Sequence, residues 1–543
     1  MSTDEKERDS PVHSEHLEKR VPVSQSNSND NITWHEESPT MVHEVPSPSI
    51  DERNSQLFIG LFIFLLPINF GYEVTTVGNL LAVNSFLEEF GVEVDGTWEV
   101  PARDQQILNA ASAIGLFCSA FTTGVLSDLM GRKKTIIVGC LICSHYSLNL
   151  WWEVVEYVRL RAWSLTGSCL CSRIGSSQNE RYLPDASGMY MNVARILTSK
   201  ADNTMIVLGE WLNSLAILGC QNRSDSLAWR IPIITQLIPP SLLLLGLPFL
   251  AESPSWLIMK DRPQEARRSF LYFNGPKFDV DEAMAITTAS VAQERELARS
   301  GSAWLDCFRG DNLRRTVIVC MVYIAQQFVG VNFVSGYLTY YFKLAGVKDS
   351  VATAQGAYAV QLFGNICSWL LVDRLGRRPM IVGGMFVITI GLFIIGCISI
   401  NGSAAALKAT AAFMTLWGFL YQATVGAVPY AVGGETPSPL LRQKTYSINI
   451  MSATAFSCAV LQILPYLINT DEVNMGGKVC FVFFGLSVPM CVYLYFYIPG
   501  LKGRTVAEIQ ELFQANVPAR KFKGYVCQNQ VQIEEDKAIM EEE

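Results

Sequence analysis

The chain reads GVLSDLMGRKK from Gly124 to Lys134 and SWLLVDRLGRRP from Ser368 to Pro379. Each stretch follows one apolar run and precedes another. Each sets an Asp, then a Gly, then two or three cations within a few residues. Asp128 and Asp373 lie about half the chain apart. A short charged hairpin repeated once per half, between long apolar segments, marks a duplicated membrane transporter.

Composition carries the same message. Half of the 543 residues are hydrophobic and 17% are charged, and the mean hydropathy of +0.23 is high for a water-soluble protein. A spanning helix needs about 20 mostly apolar residues. Candidates fall at 57–80, 107–127, 135–155, 204–221, 231–250, 315–342, 354–372, 379–400, 407–433, 447–470 and 479–498, eleven in all. The net charge of −8 arises in the two tails, where acids outnumber cations 20 to 11, and no basic stripe with interleaved aromatics points to nucleic acid. The 14 Cys are scattered through apolar segments. Cys140-x-x-Cys143 has no second pair or His to complete a metal site, so these residues read as small buried apolar groups. Neither a metal, a cofactor nor an enzymatic centre is expected.

Residues 1–55 are rich in Ser, Asn, Glu, Asp and Pro and are expected to be disordered. No charged, then apolar, then small-residue cleavage pattern opens the chain, so the first span is the expected targeting signal. Cations load the 2–3, 6–7, 8–9 and 10–11 loops and are sparse in the loops between. The cation-rich loops and both termini are therefore expected in the cytoplasm. The expected organisation is a cytoplasmic tail at 1–55, a six-helix half at 56–250, a cytoplasmic helical loop at 251–314, a second six-helix half at 315–500 and a cytoplasmic tail at 501–543. In the loop, Asp261-Arg-Pro-Gln-Glu-Ala-Arg-Arg reads as a helix start with Pro263 in the first turn. Asn222-Arg-Ser and Asn401-Gly-Ser are glycosylation triplets on the outer side; Asn31-Ile-Thr lies in the cytoplasmic tail.

This topology demands a fourth span within 156–203, because an even number of spans must separate the 2–3 and 6–7 loops. That stretch has no long apolar run and carries Arg159, Arg161 and Arg173. A mid-membrane Arg costs about 2.5–3.5 kcal/mol on insertion scales. Either the span is held by its neighbours, or the sequence is altered here by a frameshift, a retained intron or a shifted exon boundary.

With these motifs in place, the chain resembles the sugar porter branch of the major facilitator superfamily, most closely the fungal α-glucoside (maltose permease-like) proton symporters and hexose transporters. Phe70-Gly71-Tyr72-Glu73 matches the family's FGYD. The two hairpins match its D-R-x-G-R-R loops, with Leu129 for the first cation in one. AESPSWL matches the signature after span 6, with Ala251 for Pro and Ser255 for Arg. Gln326, Gln327, Gly330 and Asn332 match the span 7 pattern; Glu435 and Arg442 match the loop after span 10. PGLKGRT matches the C-terminal pattern with Gly500 for Glu, and Val517-Pro-Ala-Arg-Lys-Phe522 resembles the fungal α-glucoside tail. The resemblance runs from about Phe70 to Phe522 and lapses at about 145–203, where only Tyr190-Met191-Asn192 and Val193-Ala194-Arg195-Ile196 echo the family's loop after span 4.

The resemblance implies an all-α membrane protein with the twelve-span major facilitator fold, two pseudo-symmetric six-helix halves, and a central cavity at the midplane. A sugar needs amides, which both donate and accept, and an aromatic to cover a ring face. Gln326, Gln327 and Asn332 supply amides in span 7; the alternative is that they tie helices together. Carried across by motif spacing, the substrate-binding set gains Gln361 in span 8, and Gln422 and Tyr430 in span 10, where Pro429 would break the helix. Span 5 places Glu210 where the family has Gln. Glu73 is the candidate proton carrier, the alternative being a carboxylate at the membrane surface. The family partner of that carboxylate is an Arg in span 4, for which Arg159, Arg161 and Arg173 stand as candidates. Asp128 with Arg132, and Asp373 with Arg377, together with Glu435 and Arg442, form the expected cytoplasmic gate; a plain positive-inside anchor is the other reading. The reading of function is a secondary active transporter of an α-glucoside or hexose in the plasma membrane, with a sugar, a proton and membrane lipid as partners. The alternatives are a same-fold transporter of a polyol, quinate or secondary metabolite, or a sensor or non-functional product.

Overall fold

The computed structural model describes residues 62–152 and 188–527, apart from 63, 95–96, 276–278, 300–303, 345, 348, 439–440 and 470–471. The tail at 1–55, Arg159, Arg161, Arg173 and most of the stretch assigned to a fourth span lie outside the described residues.

The described chain is almost wholly helical. Span 1 is Leu65–Leu80, span 2 Ala102–Met130, span 3 Arg132–Trp152 and span 5 Gly188–Cys220. Span 6 is the pair Leu227–Thr235 and Ile238–Gly246. In the second half, span 7 is Gly310–Phe328, Val331–Val334 and Leu338–Leu344; span 8 is Ser350–Leu375 and span 9 Arg377–Ser399. Span 10 runs from Ala404–Tyr421 through a π turn at Gln422–Gly426 into Val428–Glu435. Span 11 is Arg442–Ile468 and span 12 Val479–Tyr497. These helices outrun the apolar windows at most ends, because hydropathy sees only the lipid-matched length while the helices continue into polar ends. Five units are apolar and long enough to cross a membrane on those grounds alone: 227–249, 377–399, 405–435, 444–468 and 476–497. Spans 1, 2, 5, 7 and 8 bury polar side chains such as Asn69, Gln105, Asn213, Gln326 and Gln361. Those groups face protein, not lipid, as the bilayer's inability to satisfy them requires.

The repeated hairpins take the same backbone form. Gly131 (φ 91°, ψ 161°) ends span 2, and Gly376 (φ 87°, ψ 167°) ends span 8. Both sit at positive φ, where a side chain would be strained. Each is followed at once by an Arg that begins the next span, so the sequence repeat is a structural repeat of the two halves.

Span 7 departs from the single run expected at 315–342. It breaks at Gly330 and again near Gly336, and a pair of short helices replaces one continuous rod. Span 10 breaks as Pro429 suggested, but the break is a π turn one residue upstream of a new helix that starts with Val428-Pro429. Both interruptions lie at the middle of the bundle. The connector after span 6 forms Pro254–Met259, Pro263–Asn274 and Val280–Arg299 around a small core of Trp256, Leu257, Ala266, Phe270 and Val280. Pro263 opens its helix at the first position, where its missing N–H costs nothing. After span 12, Val506–Gln514 carries a capping box between Thr505 and Glu508 and packs on Ile318 through Leu512 and Phe513, joined by Phe522 of the turn Ala519–Gly524.

Candidate functional site

Span 1 lies against span 5 so closely that a Cβ on Gly71 would collide with the backbone carbonyl of Ile206. This contact explains the Gly of Phe70-Gly71-Tyr72-Glu73, and it carries Glu73 and Glu210 into one cavity. The cavity has a volume of about 300 Å³ and lies between the two halves. Its first-half wall includes Glu73, Asn109, Asp202, Asn203 and Glu210; its second-half wall includes Gln326, Gln327, Asn332, Gln422 and Tyr430.

Five of the six expected substrate contacts therefore reach the cavity wall, and so does Glu73. Their bonds separate them. Gln326 donates from Nε2 to the carbonyls of Val425 at 3.0 Å and Gly426 at 3.2 Å. These carbonyls belong to the π turn of span 10, whose widened ring leaves them available, so Gln326 ties spans 7 and 10 together at the break. Asn332 donates to Gln327 Oε1 at 3.0 Å and to Ser457 Oγ at 3.1 Å, linking spans 7 and 11 at the wall. Asn365 in span 8 donates to Gln422 Oε1 at 3.3 Å and accepts from Thr204 in span 5 at 2.6 Å. Tyr430 lies edge-on to Tyr323, ring centroids 5.7 Å apart. Gln361 stands apart: it is fully buried, accepts from Ser335 Oγ at 3.3 Å, and does not reach the described cavity wall. Spacing placed it on the right helix; only the packing shows it behind the wall. Tyr421, Tyr446 and Thr454 also line the cavity and carried no sequence motif that marked them.

On the face opposite the Gly-Arg hairpins the halves are bonded directly to each other. Gln106 Nε2 donates to the Gln462 carbonyl at 2.6 Å, and Gln462 Nε2 returns to the Gln106 carbonyl at 3.0 Å. Gln105 donates to Asn469 at 3.2 Å, Asn109 to the Tyr337 hydroxyl at 2.7 Å, and Thr339 to Asn79 at 2.5 Å. Lys343 adds bonds to the Ala82 carbonyl and to Asn84. Asn222 and Asn401 are both exposed on this face.

On the hairpin face the ion pairs fall within each half. Asp128 pairs with Arg132 at 3.3 Å one helical turn on. Arg377 pairs with Glu435 at 2.6 Å, joining span 9 to the end of span 10. Asp373 is exposed and Arg442 half-buried at the head of span 11. Glu252, which the signature after span 6 contributes, accepts from the backbone N–H groups of Arg132 and Lys133. Trp256 of the same signature donates to the Asp128 carbonyl at 3.1 Å.

Two broken-helix halves around a polar midplane cavity define a membrane transporter of the major facilitator type. The family model described as sugar (and other) transporter matches residues 59–150 and 194–513, and the chain belongs to that family. The unmatched residues 151–193 coincide with the stretch that lacks an apolar run. The general alpha-glucoside permease of Saccharomyces cerevisiae is 28% identical over 84% of this chain and 75% of its own length. The maltose permease MAL31 of the same yeast is 26% identical over 84% and 75%. In fold the chain is similar to the proton:xylose symporter XylE bound to 6-bromo-6-deoxy-D-glucose, with a TM-score of 0.69, 19% identity, and 85% of this chain and all of that one covered. It is also similar to the nucleoside transporter NupG, at a TM-score of 0.51, 12% identity, and 81% and 99% coverage.

Proposed function

We propose that this transporter moves a sugar across the plasma membrane by alternating access, with α-glucosides as the first substrates to test, and that a proton accompanies the sugar. The observation that carries the reading is the cavity between the halves, where amides on spans 7 and 10 and the aromatic ring of Tyr430 converge. Amides match hydroxyls as both donors and acceptors, and a ring face covers the apolar face of a pyranose. The α-glucoside permeases among its relatives support the substrate class. With the cation-rich loops in the cytoplasm, the face where Gln106 and Gln462 bond the halves is the extracellular one. Glu73 at the wall is the proposed proton carrier, and the Asp128–Arg132 and Arg377–Glu435 pairs with Asp373 and Arg442 are the proposed cytoplasmic gate.

Uptake of labelled maltose and glucose into transporter-null yeast, with and without an uncoupler, tests the reading. Accumulation that the uncoupler abolishes is expected. Uptake of neither sugar overturns it, and accumulation that survives the uncoupler overturns the coupling.

A further inference from the structure

Among the described lining residues the charge on the cavity wall is one-sided. Its carboxylates, Glu73, Asp202 and Glu210, all come from spans 1 and 5, while the second-half wall offers neutral amides and phenols. Among the described lining residues there is no Lys, Arg or His. Of the three, Glu210 stands on span 5 where the family resemblance implies a Gln. It is only 7% exposed, it lines the cavity, and its Oε2 has no hydrogen-bond partner among the described residues. A carboxylate in such a place either stays protonated or is matched by a positive charge brought in from outside.

We propose that Glu210 is a specificity-determining residue that receives a protonated amine, so that the cavity prefers a cationic amino sugar to the neutral sugar of the same ring. This rests on the sugar-carrying reading above. A neutral hydroxyl gives the carboxylate a hydrogen bond but leaves its charge unmatched. An ammonium group gives both, and charge-assisted bonds are roughly twice as strong as neutral ones. A sugar bearing a carboxylate brings a like charge into the same low-dielectric space and is disfavoured. On the opposite wall Gln327 keeps its Nε2 and Asn332 its Oδ1 for the ring hydroxyls, so the ring binds in either case and only the charged end is selected.

The test is equilibrium binding to the purified full-length chain of three probes that share one ring: glucosamine, glucose and glucuronate, at about pH 6, where the amine is protonated. Glucosamine is expected to bind about tenfold more tightly than glucose, and glucuronate more weakly than glucose. Glu210→Gln should bring glucosamine and glucose to within about twofold of each other, while Glu210→Asp keeps the order. Equal binding of the three probes by the unaltered chain overturns the inference, and so does a preference that survives Glu210→Gln. If Glu210→Gln does not survive purification, the order of the three probes on the unaltered chain decides. Binding of glucose without any preference for glucosamine sinks this inference alone; binding of none of the three, with no uptake of maltose, sinks it together with the sugar reading.

Discussion

Glu252 and Arg132 meet across the first half: the Glu252 carboxylate accepts the Arg132 backbone N–H at 3.0 Å and the Lys133 N–H at 3.2 Å. The exit of span 6 thus caps the N-terminus of span 3 with a negative charge, where the helix dipole favours it. The matching position after span 12 is Gly500, and there Lys502 Nζ donates instead to the Arg374 carbonyl at 2.8 Å. The two halves share a hairpin but not its acidic cap.

The first prediction concerns that asymmetry. Glu252→Ala removes the acceptor of the Arg132, Lys133 and Ser253 N–H groups and should cost about 1–2 kcal/mol, and Glu252→Gln about half as much. Gly500→Glu should gain a few tenths to about 1 kcal/mol by supplying the second half with a cap. Thermal melting of the detergent-solubilised protein checks all three; an unshifted melt for Glu252→Ala would remove the capping role.

The second concerns the gate. Arg377 is only 8% exposed, so removing its partner leaves a nearly buried charge. Glu435→Gln should lower stability by about 1–3 kcal/mol and slow transport. The exchanged pair Arg377→Glu with Glu435→Arg should recover part of the loss. No recovery would mean that the residues act separately.

The third separates cavity contacts from scaffolding. Gln327→Ala and Asn332→Ala should cut uptake at unchanged surface expression, since each lost hydrogen bond is worth about 0.5–1.5 kcal/mol. Gln326→Ala frees the π turn and Gln361→Ala leaves Ser335 unpaired, so these two should lower the melting temperature as well. Normal uptake by both Gln327→Ala and Asn332→Ala would assign them to helix bonding.

The fourth concerns coupling. Glu73→Gln fixes a neutral side chain, and should abolish accumulation against a gradient while sparing downhill exchange. Continued accumulation with alkalinisation of the medium would show that Glu73 does not carry the proton. The unaltered chain must be shown to accumulate sugar first, because its family match is interrupted at residues 151–193.

The fifth concerns orientation. Reporters inserted at Ser403 and at Lys444 should report opposite sides of the membrane, because one follows span 9 and the other opens span 11. Signals from the same side would refute the proposed topology.

The sequence alone determined the helical class, the duplication and the order of the spans. Apolar length and alternating loop charge are local quantities that lipid and water read residue by residue. The hairpins were legible for the same reason, since Asp128, Gly131 and Arg132 act on neighbours within one turn. The family resemblance put Gln327, Asn332, Gln422 and Tyr430 in spans 7 and 10, and all four line the cavity.

Only the tertiary structure decided which side chains share the cavity. Gln361 and Gln422 look alike in sequence, yet one is sealed behind Ser335 and the other reaches the wall. The break in span 7 at Gly330 and the π turn in span 10 were invisible to hydropathy, which averages over windows longer than a turn. Glu210 joins Glu73 because Gly71 lets spans 1 and 5 meet, a relation between residues far apart in the chain. Such proximity is a property of packed helices, and no local pattern encodes it.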